Sequence, residues 1–305
     1  MKGKSNTFNI SNTSNNENSK FAITINNLVK QYDDFKLNHI NFQVPKGSIM
    51  GFVGENGAGK TTTMKAILDL ITIDEGEITI LGSDSRNLPK EKKALIGVVL
   101  DGSNLHDNLN VNNINLIMQR IYLNWEERIF YEYIKRFNLP ETKILKEYSR
   151  GMKMKLSIVI ALSHHAKLLI LDEATSGLDP MVREEILDIF LEFMQDEEHT
   201  ILFSSHIISD IEKIADYVTF IHKGNIVFSK NKDDLIYQHG LIHCKKDEVN
   251  QIDKAYIVGV RENRYGAEVL IKNKALFQRQ YNNFKVDRTT IEEIMLFITR
   301  GKESF

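Results

Sequence analysis

The stretch GENGAGKTTT, residues 54–63, constrains this chain more than any other feature. Three glycines fall within six residues, just ahead of a lysine and three threonines. Glycine loses the most freedom on folding and is favoured where backbone takes unusual angles or approaches a ligand closely. The run fits G-x-x-x-x-G-K-[ST], with Gly54, Gly59, Lys60 and Thr61 at the defined positions. Upstream, IMGFV (Ile49–Val53) is a short apolar run that reads as a buried strand. Downstream, Met64, Ile67, Leu68 and Ile71 recur at helical spacing, so a helix is expected to start near Lys60. Strand, glycine loop and helix start together make an anion-binding loop. Successive backbone N–H groups form a concave nest, and the helix N-terminus adds partial positive charge. In such a loop Lys60 reaches the outer phosphates of a nucleotide and the Thr61 hydroxyl ligates Mg²⁺.

A chain of 305 residues suggests one large domain or two smaller ones. The formal net charge of −2 argues against a nucleic-acid partner. Cys244 is the single cysteine, so no intrachain disulfide can form, which fits a reducing compartment. No apolar run approaches the ~20 residues needed to cross a bilayer, so membrane association is expected to come from a partner. Residues 1–20, rich in Asn and Ser and without an apolar signal region, are expected to be a disordered tail.

FAITINNLV and INFQV read as strands of an antiparallel element, and residues 77–81 and 96–100 as further strands. Residues 109–145 show helical periodicity with few breakers. Three short apolar runs follow at 168–171, 200–203 and 217–221, with helical stretches around 184–194 and 207–215 between them. Apolar strands alternating with helices imply a parallel α/β sheet. Beyond about Ser229 the texture changes: AYIVGV and AEVLI read as a hairpin, and Thr290 with Glu293 forms a capping-box pattern before a last helix. The expected organisation is a tail at 1–20, a nucleotide-binding domain at 21–229 and a small α+β accessory domain at 230–305.

Hydrolysis needs more than a phosphate loop: a second metal handle and a group that orients water. LLILDEATSGLDP (residues 168–180) supplies candidates. A carboxylate at the C-terminal edge of a parallel strand sits where ligands bind. Asp172 can therefore hold Mg²⁺ through water, and Glu173 can orient the attacking water. YSRGM (148–152) leads into a helix, and SSHI (204–207) places His206 just past a strand, within reach of a γ-phosphate.

The order of phosphate loop, short signature before a helix, apolar-DE and S-S-H resembles the nucleotide-binding ATPase subunit of an ABC transporter. The resemblance covers residues 21–228 and rests on five motifs in the right order and spacing. YSRGMKMKL and the C-terminal extension most resemble the ATPase subunits of bacterial ABC-2-type exporters of drugs or of antimicrobial and cytolytic peptides. The resemblance implies an α/β fold with a parallel core sheet, an antiparallel β subdomain and a helical subdomain. It implies ATP and Mg²⁺ as cofactors, a homodimer or heterodimer of nucleotide-binding subunits, and separate integral membrane permease subunits holding it at the cytoplasmic face of the membrane.

It also assigns roles. Gly54, Glu55, Asn56, Gly57, Ala58, Gly59, Lys60, Thr61 and Thr62 would bind phosphates and Mg²⁺, and Tyr32 would stack on adenine. Ser149 and Gly151 would contact the γ-phosphate of ATP held by the other subunit, and Asp179 would cross the dimer interface. Glu173 would be the catalytic base and His206 the γ-phosphate linchpin. Residues 101–146 would receive the membrane subunits. Two departures stand out. The family signature usually reads LSGGQ, and here Tyr148, Arg150 and Met152 replace Leu, the first Gly and Gln. After the IGVVL strand, where the family has glutamine, this chain has Asp101, whose carboxylate would take that glutamine's place beside Mg²⁺.

Readings from other classes are a soluble ABC ATPase acting on ribosomes, a chromosome or repair ATPase, and a non-hydrolysing regulatory module. The first usually carries two phosphate loops in one chain, the second long coiled coils, and the third lacks groups such as Glu173 and His206.

Overall fold

The structure is a computed structural model that describes residues 20–100 and 105–300. The expected tail, apart from Lys20, and Asp101 lie outside the described residues. The chain runs β1 (Phe21–Gln31), β2 (Lys36–Pro45), β3 (Ile49–Val53), α1 (Lys60–Ile67), β4 (Glu75–Ile80), β5 (Ser83–Asp84), α2 (Lys90–Lys93) and β6 (Ile96–Val99). It continues through α3 (Val111–Ile121), α4 (Glu127–Arg136), α5 (Arg150–Leu162), β7 (Leu168–Asp172), α6 (Pro180–Phe193), β8 (Thr200–Ser205), α7 (Ile208–Ile214), β9 (Tyr217–His222) and β10 (Asn225–Asn231). It closes with α8 (Lys232–Gln238), β11 (His239–Cys244), β12 (Ile257–Glu262), β13 (Ala267–Lys272), α9 (Lys274–Gln280), β14 (Val286–Asp287) and α10 (Ile291–Arg300).

The central sheet has the order β10-β9-β3-β8-β7-β6, with β9, β3, β8, β7 and β6 parallel and β10 antiparallel at one edge. Its strands carry near-continuous apolar runs because both faces are covered. Successive residues alternate between two cores. Met50, Phe52, Ile170 and Leu202 pack with α1 and with the antiparallel sheet β2-β1-β4-β5. Ile49, Leu169, Leu171, Ile201 and Phe203 pack on the other side with Leu156 of α5 and Ile186 of α6. Each fully buried Leu, Ile or Phe contributes about 1.5–3 kcal/mol, so burial on both faces makes this sheet a rigid base. The register places Asp172 beside Ser204 and Val53 beside Ser205, which brings the C-terminal ends of β7, β8 and β3 together. The fold is thus the expected α/β type, with the parallel core, the antiparallel β layer and the helical segment α3–α5.

The long helical stretch divides. α3 stops at Ile121 and α4 begins at Glu127, because Tyr122 leaves helical angles (φ −106, ψ 120) and the Trp125 indole donates to the Asn115 side-chain Oδ1 across the break. At the C-terminal end, β12-β13-β11-β14 forms an antiparallel sheet over its own small core of Ile242, Val269, Ile271 and Phe277. Leu241, Leu270, Ile291, Ile294 and Phe297 instead join the main core, so this sheet and its helix are packed onto the central body. Its last helix carries the capping box: Glu293 N–H donates to Thr290 Oγ1 at 3.1 Å, and Thr290 N–H donates to Glu293 Oε2 at 2.9 Å. β10 extends past Ser229 to Asn231, whose side chain caps α8 directly, so no linker separates the two.

Two buried histidines tie stability to pH. His164 is fully buried, stacks on Tyr122 at 4.1 Å, and has Nδ1 3.0 Å from the Ala94 carbonyl oxygen. Burial holds its pKa, and that of His239, below the ordinary histidine value. Above pH ~6.5 neither state carries the proton, and the full stability is present. Below that value the unfolded chain takes up protons first, so stability falls as pH drops toward the folded-state values. The melting temperature is therefore expected to fall between pH 7.5 and 5.5, with a smaller fall in His164→Gln. An equal fall in both proteins would remove His164 from this account.

Candidate functional site

The loop joining β3 to α1 has the geometry its glycines allow. Gly57 and Gly59 have φ of 80° and 116°, in the left-handed region that favours glycine. At Gly54 a Cβ would lie 2.5 Å from the Ile221 carbonyl oxygen, so a side chain is excluded. Gly59 caps α1 without a side-chain hydrogen bond, which leaves the first-turn amides for a ligand. Ala58 is buried, Asn56 is exposed, Thr61 is exposed and Thr62 half-buried on the first turn of α1. Thr63 anchors that turn, its hydroxyl donating to the Gly59 carbonyl at 2.8 Å.

Lys60 is almost fully buried and bends back into the loop. Its Nζ donates to the carbonyls of Gly54 at 2.8 Å and Glu55 at 3.3 Å, and lies 3.1 Å from Glu173 Oε1. The other oxygen of that carboxylate, Glu173 Oε2, lies 2.6 Å from His206 Nδ1. One carboxylate thus bridges the loop lysine and the histidine that follows β8. Glu173 holds φ 53°, an uncommon angle for a side-chain-bearing residue, and its backbone N–H donates to Ser204 Oγ at 3.0 Å. Such strain persists only where the surroundings fix it, and it concentrates at functional positions. His206 is held by a tight turn in which Ile207 N–H donates to Ser205 Oγ at 2.9 Å.

Asp172 is fully buried at the end of β7. Its Oδ1 accepts from Ser204 Oγ at 2.6 Å, and its Oδ2 has no partner. An orphaned carboxylate oxygen and the Thr61 hydroxyl suit Mg²⁺, which takes one or two protein oxygens and fills its shell with phosphates and water. Among the described residues no cluster of three or more His, Cys, Asp or Glu could form an all-protein cage.

Ser149, Gly151 and Asp179 gather elsewhere. Ser149 caps α5 by accepting from Met152 N–H, and Asp179 caps α6 by accepting from Val182 N–H, with Pro180 in the first turn. A Cβ at Gly151 would sit 3.7 Å from Val182 and 3.8 Å from Leu178, so the two helix starts adjoin. Among the described residues no hydrogen bond or ion pair joins these three to the 54–63 loop. Tyr32 lies on the β1–β2 turn, half-exposed, with Lys30 Nζ 5.4 Å from its ring centroid. That turn reaches the loop through Phe35, whose ring would lie 2.9 Å from a Cβ at Gly59.

Two residues escaped the sequence reading. Ser204 bridges Asp172 and Glu173; the signal was the hydroxyl in SSH on the strand next to Asp172. Tyr148 anchors the segment before α5, its hydroxyl donating to the Pro140 carbonyl at 2.6 Å, and burial pushes its pKa up to about 12. Nothing in the local sequence linked it to Pro140.

Comparison with known proteins agrees with this fold. The model of the ABC transporter family matches residues 37–176. The bacitracin transport ATP-binding protein of Bacillus licheniformis is 37% identical over 208 residues, covering 67% of this chain and 68% of that protein. The lantibiotic transport ATP-binding protein of Streptococcus pyogenes is 36% identical over 216 residues, covering 69% and 91%. A solved ATP-binding subunit of an ABC transporter superposes with TM-score 0.62 at 24% identity, over 71% of this chain and 92% of that one. An ATP-binding cassette solved as a post-hydrolysis dimer with ADP and phosphate gives TM-score 0.61 at 20% identity, over 68% and 98%. Those two structures share the fold. This chain belongs to the ABC transporter family and is an ATP-binding, ATP-hydrolysing component of it, an ATPase coupled to transport.

Proposed function

We infer that two nucleotide-binding subunits, identical or paired with a homologue, sandwich two ATP molecules between them. The loop 54–62 and Tyr32 of one subunit hold each nucleotide with Mg²⁺, which Thr61 and Asp172 bind. Ser149 and Gly151 of the other subunit close over the γ-phosphate. The ion supplies charge neutralisation to the phosphates when bound. Glu173 orients and deprotonates the attacking water, and His206 holds Glu173 in place and donates toward the γ-phosphate. Hydrolysis removes the shared ligand and lets the subunits part. Residues 21–229 are the motor and residues 230–305 an accessory unit.

The motor acts on separate membrane permease subunits at the cytoplasmic face. The carrying observation is an apolar face presented to solvent by α3 and the turn after it. Ile121 is 61% exposed and Leu123 fully so, with Leu116 and Ile117 also exposed. Beside it a groove of about 430 Å³ is lined by Leu68, Leu70, Val98 and Tyr122. Exposed apolar area of this kind marks a partner surface. No helix among the described residues is long and apolar enough to cross a membrane, so the partner supplies the spans. Relatives named for bacitracin and lantibiotic transport support a drug or antimicrobial peptide as cargo, moved outward.

Replacing both Ile121 and Leu123 with Glu tests this. The charged pair is expected to leave ATP binding intact and to move the chain from the membrane fraction to the supernatant. A variant that still sediments with membranes and confers wild-type resistance to the exported compound would defeat the docking assignment.

A further inference from the structure

Arg150 stands where the family signature has a glycine, and its surroundings give it a job. It is the first residue of α5, whose opening turn contains no acidic residue, so its charge runs against the helix dipole. Its guanidinium lies over Gly177: a Cβ built there would be 2.5 Å from Nη1, 2.9 Å from Cζ and 3.4 Å from Nη2. Gly177 has φ 68°, in the left-handed region that favours glycine, and a Cβ there would displace the guanidinium from its place over the turn. Leu178 and Val182 pack from the neighbouring side, against Gly151. Arg150 and Gly151 therefore grip the 176–179 turn between them. That turn begins at the site: Ser176 N–H donates to the Glu173 carbonyl at 3.0 Å, and Leu178 N–H to the Thr175 carbonyl at 3.4 Å.

We propose that Arg150 is a positioning residue for ATP hydrolysis. It braces the 176–179 turn against the start of α5, so that Ser149, Gly151 and Asp179 meet the second subunit as one rigid surface. A flexible glycine in place of Arg150 would leave the two caps free to move separately.

The inference rests on the two-subunit reading above, and the test separates them. The full chain carrying Glu173→Gln is titrated with Mg-ATP, and dimer formation is followed by sedimentation. ATP binding at subunit concentrations too low to dimerise is measured with a fluorescent ATP analogue. Arg150→Ala is expected to weaken dimerisation by about tenfold, the size of coupling found between contacting residues. Binding to the monomer should stay within about twofold, as for a surface change away from the pocket. Arg150→Lys should recover part of the loss. Gly177→Ala should weaken dimerisation with Arg150 present and by less in the Arg150→Ala background, where only the backbone-angle cost remains. Equal dimerisation of Arg150→Ala and its parent, equal losses in monomer binding and dimerisation, or a fully additive double mutant would each overturn the brace while the parent still dimerises. A parent that never dimerises would overturn both readings.

Discussion

Glu173→Gln is expected to stop ATP turnover while ATP still binds. A positioned general base contributes roughly 10²–10⁴-fold, and turnover should fall by a factor in that range. The amide keeps the size, but its single oxygen can accept from only one of Lys60 and His206, its NH2 faces the other, and it cannot take a proton from water. In the structure the carboxylate is the anion that Lys60 and His206 share, at 3.1 Å and 2.6 Å. Neutralising it removes a competitor for the incoming phosphate, so nucleotide affinity should not drop. Retained wild-type turnover, or loss of ATP binding in step with activity, would contradict this role.

Lys60→Ala is expected to fail earlier, at binding. The ammonium makes its contacts inside the loop, to the Gly54 and Glu55 carbonyls and to Glu173. When phosphate arrives, those donors can swing to it as charge-assisted bonds. Hydrogen bonds to charged groups contribute about 1.5–3 kcal/mol, so ATP affinity should fall by roughly 10–100-fold. The variant also leaves Glu173, itself 8% exposed, without its cation. Isothermal titration separates the two cases: weak binding for Lys60→Ala, near-normal binding for Glu173→Gln. Equal affinity of Lys60→Ala and the parent chain would remove the lysine from the phosphate site.

Much of this was legible before any coordinates. The strands were visible as short, largely apolar runs at 49–53, 168–171, 200–203 and 217–221, because a sheet covered on both faces needs no polar alternation; the structure carries the last three on to Asp172, Ser205 and His222. The loop lysine, Asp172, Glu173 and His206 could be picked out because each follows a strand at the edge where ligands gather. What stayed hidden depends on contacts between distant residues. No local pattern shows that Tyr148 reaches Pro140, that Arg150 lies over Gly177, or that Ser204 bridges Asp172 and Glu173. In the C-terminal unit the hairpin of β12 and β13 was visible, but β11 (HGLIHC) was not. Its glycine and two histidines mask a strand whose burial is set by partners on both sides, β13 and β14. The attachment of α10 to the main core was equally invisible, since periodicity shows which face is apolar and not what covers it.

The central claim is that each ATP site is shared between two subunits, and mixing two dead variants tests it most directly. Lys60→Ala spoils a subunit's own loop and leaves its signature intact. On the two-subunit reading, Gly151→Asp puts a carboxylate where the γ-phosphate approaches; beyond α5's own neighbouring residues, the nearest atoms to a Cβ there are Val182 at 3.7 Å and Leu178 at 3.8 Å, so the subunit is expected to fold. Neither variant alone should hydrolyse ATP, with or without the membrane partner. Mixed, a dimer of one of each contains one site with an intact loop facing an intact signature. Recovery of ATPase activity on mixing, in proportion to the mixed dimer captured through differential tags, is the predicted result. A captured mixed dimer as inactive as either variant alone would contradict the shared site.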